Sequence, residues 1–167
     1  MIPFSITNFL TYFCLAWFAN ICLNFLYVIK RYSPKTLNFD IPIDGGFKYK
    51  GEYIIGKSTT ALGLVICLAI SIFLYSISYN SIWAIIPPLV YTGHMLGSFI
   101  KRRMHKKGGE FVPFVDHGDY MIFTGLIFVL FGYISISFAL LAILLNYILH
   151  PIACFIAFKL KLRENPY

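Results

Sequence analysis

Apolar residues gather along this chain into five runs: Asn8–Ile29, Thr60–Ser78, Ile82–Ile100, Tyr120–Phe138 and Ala139–Phe158. Each is long enough to cross a bilayer as a helix, which takes about 20 residues. The last two abut, and Gly132 to Ser137 is the expected turn between them. Hydrocarbon offers the backbone no hydrogen-bond partner, so a spanning segment satisfies its own polar groups as a helix. A membrane barrel would alternate apolar and polar residues over strands of about 10, and no such alternation is visible. The expected fold is all-α, an integral membrane protein of about five transmembrane helices, with residues 1–167 as one domain.

The polar residues orient those helices. The fourteen Lys and Arg fall in three blocks, Lys30 to Lys57, Lys101 to Lys107 and Lys159 to Arg163. All seven acids, from Asp40 to Glu164, lie in or beside the same blocks. The N-terminus and the links near Tyr79–Ser81 and Gly132–Ser137 carry no charge. Five crossings put the charged blocks on one face, and Lys and Arg stay on the cytoplasmic side. The expected topology is N-terminus out and C-terminus in, with the charged face on the cytoplasmic side of the cell membrane. Only 13% of residues are charged, against about 25% in a soluble domain. The net charge of +7 then sits at the membrane surface, where it suits lipid headgroups or phosphates. Basic residues placed there, without a recognisable binding fold, argue against a nucleic-acid partner.

The first run lacks a basic leader and a small-residue cleavage site, so it reads as a retained helix rather than a signal peptide. Cys14, Cys22, Cys67 and Cys154 lie inside apolar runs without metal-type spacing and read as packing residues. Asn20, Asn24 and Asn146 read as interhelical hydrogen-bonders. Trp17, Tyr53, Trp83 and Tyr120 read as interfacial anchors or packing, and His150 as a partner for a carbonyl freed by Pro151. Pro87 and Pro88 are expected to kink the third crossing.

Chemistry must come from the two charged loops and the helix ends beside them. In the first, Gly45, Gly46, Gly51 and Gly56 let the backbone turn and approach a ligand. Lys48, Lys50 and Lys57 add positive charge, and Ser58 to Thr60 open the next helix. A hydroxyl-rich helix start after Gly-Lys suits a phosphate; a basic hairpin resting on lipid headgroups suits the same residues equally well. In the second, Lys101 to Arg103 alone would be an ordinary stop at the membrane surface. Asp116 and Asp119 change that reading, because three residues apart on a helix they face the same way. Carboxylates at the edge of hydrocarbon are costly unless they bind a cation or pair with Lys or Arg. Mg²⁺ takes one or two carboxylates together with substrate phosphates. The pattern points to metal-assisted handling of a phosphate compound, with a structural salt-bridge network as the alternative.

The run Gly93-x-x-x-Gly97-Ser98-Phe-Ile-Lys101-Arg102-Arg103, a spacer containing Gly and Pro, then Asp116-x-x-Asp119, resembles the CDP-archaeol synthases. Pro42-Ile-Asp44-Gly45-Gly46 with Gly51, Gly56, Thr60 and Gly63 resembles that family's first loop. His150 and the closing Leu-Arg163-Glu164-Asn-Pro166-Tyr167 resemble its C-terminal end. The second loop is also similar to the CDP-diacylglycerol synthase signature. The resemblance implies transfer of a cytidylyl group from CTP to a lipid phosphate, of the archaeol phosphate or phosphatidic acid type, with Mg²⁺ as cofactor. By that resemblance Asp116 and Asp119 hold the metal, and Lys101, Arg102 and Arg103 bind phosphate. Asp44, Gly45, Gly46, Lys57, Thr60 and Ser98 complete the substrate site. His94 stands where the family usually has Asp and takes a metal-ligand position. The basic residues usual near Thr59 and Leu62 are missing, and His117 follows Asp116 where Gln or Arg is common. These departures leave a second reading, a catalytically silent relative that binds nucleotide or lipid or partners another membrane protein. A small transporter fits less well, because the helix interiors hold few ionisable groups. Membrane lipids are expected neighbours, and a homo-oligomer is compatible with the sequence.

Overall fold

The computed structural model describes residues 4–32, 41–49, 51–57, 59–77, 81–106 and 110–162. Ser58, Lys50 and Arg163 to Tyr167, singled out above, lie outside the described residues. Five α-helices follow one another: α1 (Ile6–Tyr32), α2 (Ala61–Ile77), α3 (Ile86–Arg103), α4 (Pro113–Leu130) and α5 (Ile136–Lys159). A short antiparallel hairpin, β1 (Lys48–Tyr49) and β2 (Glu52–Tyr53), precedes α2. Among the described residues, two segments are long and apolar enough to cross a membrane by length and composition: Ile6–Leu26 of α1, and α5. α2 is apolar but shorter, at 17 residues.

Each helix end follows from local chemistry. α4 opens at Pro113, seven residues before the apolar run that predicted it, because proline suits a first helical position. Asp116 then falls in the first turn, where the helix dipole favours an anion. Pro87 and Pro88, expected from sequence to kink the third crossing, stand instead at the start of α3. A 3₁₀ turn over Ser81–Ile85 comes first, and the prolines enter the first turn of α3, where a missing N–H removes no intrahelical bond. The chain leaves α4 through Gly132, which adopts φ +69°. The Gly132 N–H bonds the Val129 carbonyl at 2.9 Å and the Tyr133 N–H bonds the Phe128 carbonyl at 2.8 Å. This pair of bonds is the glycine-terminated helix stop. Ser135 then caps α5 by accepting from the Phe138 N–H at 3.2 Å.

α3 packs against α1, α2 and α4, and α5 lies against α4. Lys101 meets Asp116 while Gly93 meets Tyr120, so α3 and α4 run antiparallel. Phe138 near the start of α5 packs with Tyr12, which in turn packs with Phe128 near the end of α4. His150 meets His117, so α5 runs antiparallel to α4 as well. Tyr12, Ile86, Val90, Tyr120, Met121, Phe128 and Phe138 form the centre of the core. Tyr120 and Trp83 are core residues rather than interfacial anchors. Outer faces carry Ile21, Phe25, Ile72, Phe73, Leu130, Leu144 and Phe155, all exposed. An apolar surface of that extent is one that lipid solvates better than water.

Candidate functional site

Two helix ends of opposite polarity meet at one end of this bundle. The last turn of α3 carries Lys101, Arg102 and Arg103, where the dipole favours cations, and the first turns of α4 carry Asp116 and Asp119. Close approach of the two helices depends on two glycines. A Cβ on Gly93 would lie 2.5 Å from the Tyr120 Cα, and one on Gly97 would lie 2.4 Å from an Asp119 carboxylate oxygen. Nothing larger than glycine lets α4 sit this close at those two levels.

Both acids face α3, as their three-residue spacing predicts. Lys101 Nζ donates to Asp116 Oδ1 at 2.6 Å and to the Glu110 carbonyl at 3.1 Å. The Val112 N–H donates to Asp116 Oδ2 at 2.6 Å, which satisfies one open donor of the α4 N-terminus. One turn deeper, Asp119 Oδ2 lies 3.1 Å from His94 Nδ1, and the Tyr120 N–H donates to Oδ1 at 2.7 Å. The Asp119 side chain is only 11% exposed, which makes a partner for its charge necessary. His94 Nε2 lies 2.9 Å from Asn20 Oδ1 on α1. A carboxylate only accepts, so His94 Nδ1 carries a hydrogen toward Asp119. His94 in this arrangement joins α1, α3 and α4 as a partner of Asp119. The metal-ligand position expected for His94 lies beside the Asp119 carboxylate, 3.1 Å away.

Consecutive helical residues point about 100° apart, so the basic run divides. Lys101 faces α4, whereas Arg102 and Arg103 face the first loop. Arg102 is buried, at 8% exposure, and lies over Gly56 at φ +112°. A Cβ on Gly56 would come within 2.9 Å of its Nε. The guanidinium donates to the Lys106 carbonyl, and among the described residues its Nε is without a hydrogen-bond partner. Among the described residues no carboxylate pairs with it. Arg103 donates to the Tyr53 carbonyl at 3.0 Å and lies over the Tyr49 and Phe99 rings.

The first loop is organised by Asp44. Its carboxylate accepts the N–H groups of Gly46 at 3.0 Å, Ile55 at 2.9 Å and Gly56 at 3.4 Å, tying both arms of the hairpin together. Desolvation opposes its charge, but these backbone donors outweigh it and hold its carboxyl below the ordinary value. Gly45 and Gly46 turn the chain at positive φ. Thr60 caps α2 through the Gly63 N–H at 3.3 Å. Thr59 donates to Ser98 at 3.2 Å, which joins this loop to α3. Lys57 is exposed beside the Tyr53 ring. Both readings offered for this loop contain a hairpin or a helix start, and both features are present.

Asn20 and Asn146 are the interhelical hydrogen-bonders expected from sequence, and Asn20 reaches His94 on α3 across 74 positions. Asn24 bonds Asn20 within α1 rather than across helices. Asn146 accepts from Trp17 at 2.9 Å and Tyr120 at 2.6 Å, and donates to the His117 carbonyl. Their only sequence signal is an amide inside an apolar run.

Comparison with known proteins adds a family. The model of the CarS-like CDP-archaeol synthase family matches residues 20–167. A CDP-archaeol synthase from Pyrobaculum aerophilum is 26% identical over 134 residues, covering 75% of this chain and 82% of its own. One from Methanococcus aeolicus is 25% identical over 166 residues, covering 84% and 93%. Another, from Sulfolobus acidocaldarius, is 28% identical over 146 residues, covering 81% and 88%. No solved structure matches the chain.

Proposed function

Since the chain belongs to the CDP-archaeol synthase family, matched over residues 20–167, we propose that it is a CTP-dependent cytidylyltransferase that converts a membrane lipid phosphate to a CDP-lipid and pyrophosphate. The observation that carries this reading is the meeting of the Lys101–Asp116 and His94–Asp119 pairs where α3 ends and α4 begins. The names of the relatives favour archaeol phosphate as the lipid, and a phosphatidic acid has the same reacting group.

An oxygen of the lipid phosphate attacks the α-phosphorus of CTP, and the bond to the pyrophosphate oxygen breaks. Charge accumulates on the transferred group, so positioning and electrostatic stabilisation supply most of the catalysis. Lys101, ion-paired to Asp116, is placed to turn its ammonium to phosphate oxygens. Arg102, held by the first loop, presents a guanidinium suited to phosphate. Arg103, Lys57 and Ser98 line the approach, and Asp44, Gly45, Gly46 and Thr60 shape the loop that bounds it. Asp116 and Asp119 fit Mg²⁺: they are hard oxygen donors, and each oxygen keeps a lone pair beyond its protein bond. When bound there, Mg²⁺ supplies neutralisation of phosphate charge. His94 holds Asp119 in place. We place five crossings in the membrane with the N-terminus outside and the charged loops in the cytoplasm, so CTP arrives from water and the lipid from between helices.

The test is an assay of the detergent-solubilised protein with labelled CTP, Mg²⁺ and a panel of archaeol phosphate, phosphatidic acid and a prenyl phosphate. A CDP-lipid that requires lipid and Mg²⁺, and disappears with Asp116→Asn, is the expected result. A folded protein that yields none with any lipid would overturn the activity.

A further inference from the structure

His150 and Cys154 are four residues apart on α5 and therefore share one face. That face is turned to α4, where His117 follows Asp116 in sequence but points the other way, into the α4–α5 seam. His150 Nδ1 lies 2.9 Å from His117 Nδ1 and 3.6 Å from Cys154 Sγ. The three ligand atoms all lie within 4.8 Å of one another. All three residues are buried, at 7%, 9% and 4% exposure. The Phe111, Trp17 and Tyr120 rings close around the imidazoles. Asn146 holds the His117 carbonyl from α5, so the two helices that carry the ligands are pinned together beside them.

We propose that His117, His150 and Cys154 form a site for one thiophilic closed-shell cation, Zn²⁺ or Cu⁺, separate from the carboxylate pair. Two imidazole nitrogens and a sulfur are the donors these ions select, whereas Mg²⁺ prefers oxygen. Around tetrahedral Zn²⁺, bond lengths of about 2.0–2.3 Å set ligand atoms roughly 3.3–3.7 Å apart. The His150–Cys154 nitrogen–sulfur separation already lies in that range, the two nitrogens need to part by only a few tenths of an ångström, and the Cys154 sulfur stands within 4.8 Å of His117. On binding, the hydrogen between the two Nδ1 atoms moves to an Nε2 nitrogen. The Cys154 thiol releases its proton to solvent, so the thiolate offsets one positive charge. Cu⁺ is then fully neutralised by three ligands, while Zn²⁺ keeps one position for water or hydroxide.

The full chain in detergent, stripped with a chelator, is incubated with Zn²⁺ alone or with Cu⁺ alone under reducing conditions. It is then desalted and its metal measured. Co²⁺ serves as the spectroscopic probe for the Zn²⁺ arm, through its thiolate charge-transfer band. One equivalent of either ion is expected, with retention at least tenfold weaker in Cys154→Ser and in His117→Gln. A variant with Cys14, Cys22 and Cys67 all changed to Ser should keep it. Retention of Zn²⁺ identifies the divalent ion and retention of Cu⁺ the monovalent one. If neither ion is held, or if folded Cys154→Ser and His117→Gln both retain as much as the unaltered chain, the proposal fails. Because the readout is bound metal, its failure leaves the cytidylyltransferase reading untouched, and the reverse holds too.

Discussion

The loop before α2 and the α3–α4 junction stand at the same end of the molecule and are built by opposite means. In the loop, one carboxylate spends its hydrogen-bonding capacity on backbone N–H groups, and glycines at positive φ let the chain wrap around it. At the junction, helices supply the frame, and Lys101 and His94 face the carboxylates instead. An aspartate saturated by backbone donors is a structural part, since removing it undoes the turn. A carboxylate paired with a side chain keeps a partner that can move aside for a ligand. The two kinds of acid look alike in sequence, so substitutions that separate them are the sharpest probes of the molecule.

After Asp116→Asn, which abolishes product, Asp119→Asn should have the largest effect on activity. It leaves the shape of the junction nearly unchanged but removes the charge opposite His94, and a loss of about 10³-fold in kcat is expected, in the range of a lost electrostatic contributor. Steady-state assay with CTP and lipid phosphate checks it, with melting temperature as the fold control. Gly97→Ala comes next. Its Cβ would sit 2.4 Å from the Asp119 carboxylate oxygen and 2.8 Å from the Asp119 Cβ. The side chain must swing away or α4 must shift, and a displacement of about 1 Å near the chemistry is worth about 10²-fold in rate. Full activity in Gly97→Ala would mean that the position of Asp119 is not what matters.

Much of this contrast was legible beforehand, because it rests on features close together in sequence. Asp116 and Asp119 share a helix face by spacing alone, and Lys101 is only fifteen residues from Asp116. The apolar runs announced the helices, though not where α4 begins, since Pro113 and the acids that follow belong to the helix without being apolar. Arg102 and Arg103 read as one cluster with Lys101, and only the turn of α3 separates them. His94 meeting Asn20, and His150 meeting His117, join residues far apart on different helices. Such contacts depend on how helices pack, which no local periodicity encodes. Cys154 read as packing for the same reason: its two histidine neighbours become visible only once α4 and α5 are side by side.

Asp44→Asn should act more mildly on activity and mainly on the loop. Losing a charged acceptor for backbone donors is worth about 1–2 kcal/mol, read as a lower melting temperature at neutral pH. The pH dependence follows from the sign of its shift. Its folded value lies below the ordinary 3.8, so its stabilisation is complete above about pH 4 and fades as pH falls through the folded value. The difference in melting temperature between the native chain and Asp44→Asn should therefore be constant from pH 7 to about 5 and shrink below about 4. A difference that instead grew on acidification would contradict the arrangement of donors around this carboxylate.

The smallest effect tests how the loop and junction are joined. His105 Nδ1 lies 2.7 Å from a Glu52 carboxylate oxygen, linking the hairpin to the end of α3, but the His105 side chain is 82% exposed. Exposed pairs of this kind contribute no more than about 1 kcal/mol. The same two segments are also held by Arg103 on the Tyr53 carbonyl, Thr59 on Ser98, and Arg102 over Gly56. Glu52→Gln should thus leave melting temperature and kcat unchanged and move KM for CTP by less than twofold. A rise in KM of tenfold or more, with kcat intact, would show that hairpin docking and not the helix junction limits substrate binding. The loop would then be a working part of the site in its own right, held against α3 by a contact that its exposure alone makes look dispensable.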